Sequence, residues 1–205
     1  MNSIYTAEQV KAFEKKSFVK KSDSLHAMTE AARQSIEILN KSYPASEFLI
    51  LCGPGNNGGD GYYIGIGLNK LKKCVRFIDV LGDRKKSPLC KQAFKKAKGL
   101  KFISAKALKS ISSKTVVVDA IFGIGGRIDL GSELEEILSV CNRFESKVAI
   151  DIPTGLDSNT GEISQACFNA NKTITFIAYK LGQRINEGKN YCGKLILKDL
   201  GLGMN

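Results

Sequence analysis

A chain of 205 residues, 43% hydrophobic and 25% charged, is long enough to bury one sizeable core and has the composition of a globular domain. No apolar run reaches the length of a membrane span, and the first 21 residues lack the apolar centre of a secretory signal, so a cytoplasmic address is expected. The net charge of +11 suggests an anionic partner, but most of the basic residues are lysine and Lys72-Lys73, Arg84-Lys85-Lys86 and Lys95-Lys96 have no interleaved aromatics, which argues for dispersed surface charge and against nucleic acid.

In chain order, residues from about Tyr5 to Asn40 carry apolar positions at helical spacing. Thr6 opens this stretch with Gln9 at the capping-box position, and Ala27 to Leu39 reads as a second helix. Phe48 to Cys52 is a buried strand, followed by a glycine-rich turn and a helix from Tyr62 to Lys73. Val75 to Val80 is the next strand. Ser87 and Pro88 open another helix, with proline at its first position. Leu100 to Ser104 forms a short strand, Thr115 to Asp119 a clear one, Glu133 to Phe144 a helix, and Lys147 to Asp151 a further strand. Thr173 to Ala178 and Lys194 to Leu197 close the series. Strands alternating with helices predict a single α/β domain over 1–205. Its architecture is a three-layer α/β/α Rossmann-like sandwich with a mostly parallel sheet and an N-terminal helical extension. In such a sheet the loops after Cys52, Asp119 and Asp151 emerge at one edge, where a ligand pocket is expected.

Those three loops carry the chemistry. Gly53-Pro54-Gly55-Asn56-Asn57-Gly58-Gly59-Asp60-Gly61 satisfies G-x-G-x-x-G, and Asp79 stands near the place of a ribose-binding acid. Asp60, however, puts negative charge where a pyrophosphate wants positive potential. The competing structural reading is a tight turn with Asp60 as helix cap. Val118-Asp119-Ala120-Ile121-Phe122-Gly123-Ile124-Gly125-Gly126 places an acid before a glycine loop, which suits a cation or ligand, or simply an acidic strand end. In Asp151-Ile152-Pro153-Thr154-Gly155-Leu156-Asp157 the first carboxylate, beyond an apolar strand, is a candidate acid or base. Asp157 and Asn159 are expected to shape the turn. The six cysteines form no C-x-x-C pair and His26 is the lone histidine, so zinc is disfavoured and a reducing compartment fits.

Together, Asn-Asn-Gly-Gly-Asp-Gly, Val-Asp-Ala-Ile-Phe-Gly and Asp-Ile-Pro-Thr-Gly-Leu-Asp, in that order, resemble the YjeF N-terminal domain family, the NAD(P)H-hydrate epimerases. The resemblance runs from Met28-Thr29-Glu30-Ala31-Ala32, through Phe176-Ile177-Ala178-Tyr179-Lys180-Leu181-Gly182, to Gly193–Gly201. It implies that Asn56, Asn57, Gly58, Gly59 and Asp60, together with Gly123, Ile124, Gly125, Gly126, Arg127, Ile128 and Asp129, hold the hydrated cofactor NADHX or NADPHX. Asp151 would touch its reactive ring. Asn57, Asp119 and Thr154 would supply oxygen ligands to a potassium ion, and Lys180 would join Asp151 as a catalytic residue, a surface lysine being the alternative. The chain departs from the family pattern in three places: the family's Met-Glu-Asn-Ala-Gly is Met28–Ala32 here, its Gly-Thr-Gly-Phe is Gly123–Gly126 followed by Arg127, and its Ala-Pro-Lys is Ala178-Tyr179-Lys180. The implied reaction inverts the hydroxylated C6 of the nicotinamide ring. The implied partners are a second copy of the chain and a fused or separate NAD(P)H-hydrate dehydratase. The alternatives are a non-catalytic module of the same fold that binds RNA or protein, as in an mRNA-decapping scaffold and an apolipoprotein-binding protein, and an ordinary NAD-dependent oxidoreductase. The intact Asn57, Asp119 and Asp151 weigh against the first, and Asp60 against the second.

Overall fold

The computed structural model describes residues 4–126 and 129–202, with Lys21 as backbone only. Its elements are β1 (Ile4–Tyr5), α1 (Ala7–Ser17), α2 (Lys21–Ser42), β2 (Phe48–Cys52), α3 (Asn56–Lys70), β3 (Val75–Asp79), α4 (Pro88–Ala97), β4 (Lys101–Phe102), β5 (Val116–Ala120), α5 (Ser132–Cys141), β6 (Ser146–Ile150), β7 (Lys172–Phe176), β8 (Tyr179–Lys180), α6 (Gly188–Tyr191) and β9 (Lys194–Lys198). Short 3₁₀ turns at Ala105–Ser110 and Leu181–Gln183 complete the series.

The helix starts follow from local chemistry. The Thr6 hydroxyl accepts from Gln9 N at 3.3 Å while the Gln9 side chain accepts from Thr6 N at 2.8 Å, a complete capping box on α1. Ser87 caps α4, with Pro88 in its first turn. Two starts differ from the sequence reading. Helix α2 begins at Lys21, six residues earlier than Ala27, because Asp23 accepts from Lys20 N at 2.7 Å and so satisfies the helix entrance. Helix α3 begins at Asn56, not Tyr62, so the glycine-rich segment is mostly helix rather than turn, and Asp60 lies inside it instead of capping it. Glycine is tolerated in this first part of α3 because the helix presses on the sheet. A Cβ on Gly61 would stand 2.6 Å from Ala120 Cβ and 2.9 Å from Cys52 Sγ, and one on Gly58 would overlap the Gly53 carbonyl.

Seven parallel strands pair in the order β4-β3-β2-β5-β6-β7-β9. After β2 the chain winds outward through β3 and β4, then returns to place β5 on the other flank of β2. The strand order therefore reverses between β2 and β5, where an open parallel sheet leaves a crevice at its carboxyl edge. Strand residues alternate between two cores. Phe48, Ile50, Cys52, Val116 and Val118 pack under α2, α3 and α4, while Leu49, Leu51, Val117 and Ala149 pack under α5. All six cysteines are free thiols; five are buried, and Cys74, just before β3, is exposed. Among the described residues, no helix is long and apolar enough to cross a membrane.

Close contact between α3 and the sheet generates a stability test. Gly61→Val should overpack the α3–β2–β5 contact and cost about 1–3 kcal/mol. The measurement is a lowered urea midpoint with an unchanged slope.

Candidate active site

At the switch point, β2, β5, β6 and β7 end on a cavity of about 460 Å³, within the range of small-molecule pockets. Asn56, Asn57 and Asp60 line it from α3, Ile121 to Gly125 from the loop after β5, Asp151 from the end of β6, and Phe176, Ile177 and Lys180 from the end of β7. Lys11 and Glu14 of α1, Phe18 just after it, and Ala27, Met28 and Ala31 of α2 close it from the other side.

Its foundation is Asp119, which has no exposed surface. Burial pushes the Asp119 carboxyl up to about 6, against the opposing effect of three hydrogen bonds. Thr154 N donates to it at 2.7 Å, Thr154 Oγ1 at 2.8 Å and Ile121 N at 3.1 Å. The Thr154 hydroxyl also accepts from Phe122 N at 3.4 Å. Asn57 extends the network, its amide donating to Phe122 O at 2.9 Å and Ile150 O at 3.1 Å. The three separate loops are thus joined through side chains. Asn57 Oδ1 is buried, and among the described residues it has no hydrogen-bond partner.

Above this network Asp151 adopts φ +68°, and Ile152 N donates back to Ile150 O at 2.9 Å. A positive φ with a bond from residue i+2 to residue i is a γ-turn of the strained kind. The neighbouring strand does the same at Ile177, where φ is +70° and Ala178 N donates to Phe176 O at 2.7 Å. The two sharp turns aim Asp151 and the Phe176 carbonyl at one point, which the Lys180 ammonium occupies. Lys180 is only 1% exposed, so it is not a surface lysine. Its three donors are used by Asp151 Oδ1, by Thr175 Oγ1 at 2.9 Å and by Phe176 O at 2.9 Å. The other carboxylate oxygen of Asp151 accepts from Ile124 N at 3.2 Å, while Gln183 Nε2 donates to Asp151 O at 2.8 Å.

Not every expected residue lines the cavity. Gly58 and Gly59 are buried where α3 packs, and a Cβ on Gly59 would reach Met28 Cε at 2.6 Å. Asp119 and Thr154 lie beneath the cavity floor. Gly126 and Asp129 are exposed and outside the lining, and Arg127 and Ile128 lie outside the described residues. Asp79 is held by Tyr62 OH at 2.7 Å and by Lys86 at 2.8 Å and does not line the cavity. Asp157 and Asn159 shape the following turn: Asp157 Oδ1 accepts from the Asn159 and Thr160 amides at 2.8 and 2.7 Å. Thr175, Gln183, Lys11 and Glu14 are absent from the sequence reading. Only the spacing of Gln183 three residues after Lys180, which lets its side chain accept from Lys180 N at 2.9 Å, could have signalled a member of this group.

The strand order and the crevice define a doubly wound parallel α/β protein with a cavity of mixed apolar and charged lining at its switch point. The chain belongs to the family described as YjeF-related protein N-terminus, whose model matches residues 24–182. It is 32% identical to the NAD(P)H-hydrate epimerase of Leuconostoc citreum over 84% of this chain and 78% of that one. It is also 33% identical to the bifunctional NAD(P)H-hydrate repair enzyme of Escherichia coli, over 85% of this chain but 35% of that protein. It therefore spans about a third of that bifunctional relative. The crystal structure of yeast ynu0 superposes with a TM-score of 0.75 at 19% identity, covering 90% of this chain and 85% of the yeast chain, and shows the same fold.

The Asp119–Thr154 link is open to test. Thr154→Val removes the hydroxyl donor from a buried carboxylate and should destabilise the protein by about 1–3 kcal/mol, whereas Thr154→Ser should recover most of that loss. Thermal melts of the two variants supply the comparison.

Proposed function

We propose that this chain epimerises the hydrated nicotinamide cofactors NADHX and NADPHX at C6, a cofactor-repair reaction. The observation that carries this reading is Asp151, fixed on a γ-turn, salt-bridged to buried Lys180 and lining a cavity with Asn56, Asn57, Asp60 and the Gly123–Gly125 loop. The names of the relatives agree with it. A binding scaffold would have no need of a strained carboxylate paired to a buried lysine inside a cavity.

The chemistry requires proton transfer. The ring nitrogen's lone pair expels the C6 hydroxyl, which leaves as water once protonated. Water then adds to the conjugated iminium and loses a proton. Asp151 is the carboxylate positioned for that transfer, and Lys180 fixes its orientation and balances its charge. Gly55 and Asn56, at the entrance of α3, line the cavity, and the positive end of that helix suits the cofactor phosphates. The six free thiols suit a reducing compartment such as the cytoplasm.

The same reading includes a potassium ion. The residues fit it: Asn57 Oδ1 is a buried oxygen without a donor, and Asp119 is a buried carboxylate without a cationic partner among the described residues. Asn57, Asp119 and Thr154 would hold the ion, which would supply positive charge beneath the site. No soft ligand is in this set, as a hard monovalent cation prefers.

Chromatography should show interconversion of the two hydrate epimers, with oxygen from heavy-oxygen water entering the product. Asp151→Asn keeps size and hydrogen bonding but should lower turnover about 10²–10⁴-fold while cofactor binding stays within about tenfold. Unchanged turnover in this variant would remove Asp151 from the chemistry. For the cation, replacing potassium by sodium should reduce turnover in the wild type, and Asp119→Ala should lose that dependence; full activity without potassium removes the ion from the reading.

A further inference from the structure

Epimerisation by loss and return of water makes a demand that one carboxyl group meets poorly. The hydroxyl departs from one face of the ring and water returns to the opposite face. A proton donor is needed on one side and an acceptor on the other, unless the ring turns over between the steps.

Beside Asp151 and Asp60, helix α1 brings a third carboxyl group to the cavity, and it comes from the side facing the sheet edge. Its start is anchored beside Lys180, because Ile4 and Tyr5 of β1 pair in parallel with Tyr179 and Lys180 of β8. Asn159 strengthens the anchor. Its side-chain oxygen accepts from Ala7 N at 2.7 Å, and its amide donates to Glu8 at 3.1 Å. Ala7 and Val10 are buried, which fixes the helix against the body of the protein. Two turns on, α1 presents Glu14 to the cavity that Asp151 enters from the sheet edge, with Lys11 one turn before it and Phe18 just past the helix end. Glu14 is half-buried and, among the described residues, makes no salt bridge and accepts no side-chain hydrogen bond. It therefore differs from Asp151, which has Lys180 as its counter-ion.

From this juxtaposition we infer that Glu14 is a second proton-transfer residue of the epimerase reaction, serving the ring face opposite Asp151. This rests on the epimerase reading. In one direction the neutral Glu14 carboxyl gives its proton to the C6 oxygen, the C6–O bond breaks with its electron pair going to oxygen, and the nitrogen lone pair forms the iminium double bond. Water attacks C6 from the other face, Asp151 takes its proton, and the electron pair returns to nitrogen. The reverse reaction exchanges the two roles and restores both groups. The surroundings of Glu14 bear on this. Burial and the nearby Asp151 raise its carboxyl above the usual range, while Lys180 and Lys11 act in the other direction. The half-buried carboxyl of Asp60, raised by burial and by Asp151 and Glu14, completes the ionisable groups of the cavity among the described residues. Acid–base partners whose surroundings differ in this way are a recurring arrangement in enzymes.

The experiment follows epimer interconversion and hydrate binding by wild type, Glu14→Gln, Glu14→Asp and Glu14→Ala, the last with and without added formate, after melting curves confirm folding. Glu14→Gln should lose about 100-fold in turnover with binding held within about tenfold. Glu14→Asp, which withdraws the carboxyl by one methylene, should lose about tenfold. Formate should restore part of the Glu14→Ala turnover and leave the wild type unchanged. Wild-type turnover in Glu14→Gln, or equal losses of binding and turnover without formate rescue, overturns the inference while an active wild type preserves the epimerase reading. If Glu14→Gln and Glu14→Ala do not fold, the Glu14→Asp turnover decides by the same criterion. A wild type that interconverts nothing overturns both.

Discussion

A carboxylate with no exposed surface must find its hydrogen bonds inside the protein, and at Asp119 this requirement organises the whole sheet edge. Leaving a buried charge unpaired costs several kcal/mol, roughly the scale of a domain's net stability. Asp119 is satisfied only if Thr154, from the loop after β6, and Ile121, from its own loop, turn inward. Once they do, the Thr154 hydroxyl fixes Phe122 and the Phe122 carbonyl fixes Asn57 at the start of α3. The cavity wall is therefore set from below by a polar network rather than by packing alone, and each of the three loops depends on the other two.

Above that layer the device is different. Asp151 and Ile177 close adjacent strands with the same sharp turn; the first supplies its own side chain, and the second exposes the carbonyl of Phe176 before it, to the Lys180 ammonium. Positive φ is unfavourable for both residues, more so for a β-branched isoleucine. What opposes it is the saturation of Lys180, whose three donors all have partners, and the Gln183 amide that holds the Asp151 carbonyl. The strain and the buried ion pair support each other: relaxing either turn would leave a buried ammonium short of an acceptor.

Much of this was legible in the sequence where physical periodicity is strong. Apolar runs such as Leu49-Ile50-Leu51 and Val116-Val117-Val118 could only be buried parallel strands, and their carboxyl ends had to meet at the switch point. The capping residues Thr6 and Ser87 fixed their helix starts. Asn56 to Asp60 misled because glycine marks turns by its conformational freedom, whereas here its lack of a side chain lets α3 press against the sheet. Lys180 could not be told from a surface lysine in a lysine-rich chain, since its burial comes from a turn with no sequence marker. Glu14 was invisible for a similar reason. Its helix reads as amphipathic, and the surface that helix covers is set by distant contacts, the two-residue β1–β8 pairing and the Asn159 side chain.

Cysteine placement has a practical consequence. Five thiols are buried, and burial makes those at 52, 90, 141, 167 and 192 harder to ionise and thus slow to alkylate. Cys74 is exposed, and because it precedes β3 it sits at the amino edge of the sheet, opposite the cavity mouth. The molecule thus carries a natural attachment point for a single fluorophore or a surface tether. A label there reports tumbling and assembly, or immobilises the protein with its cavity facing solution, without an engineered cysteine and without touching the residues that meet the ligand.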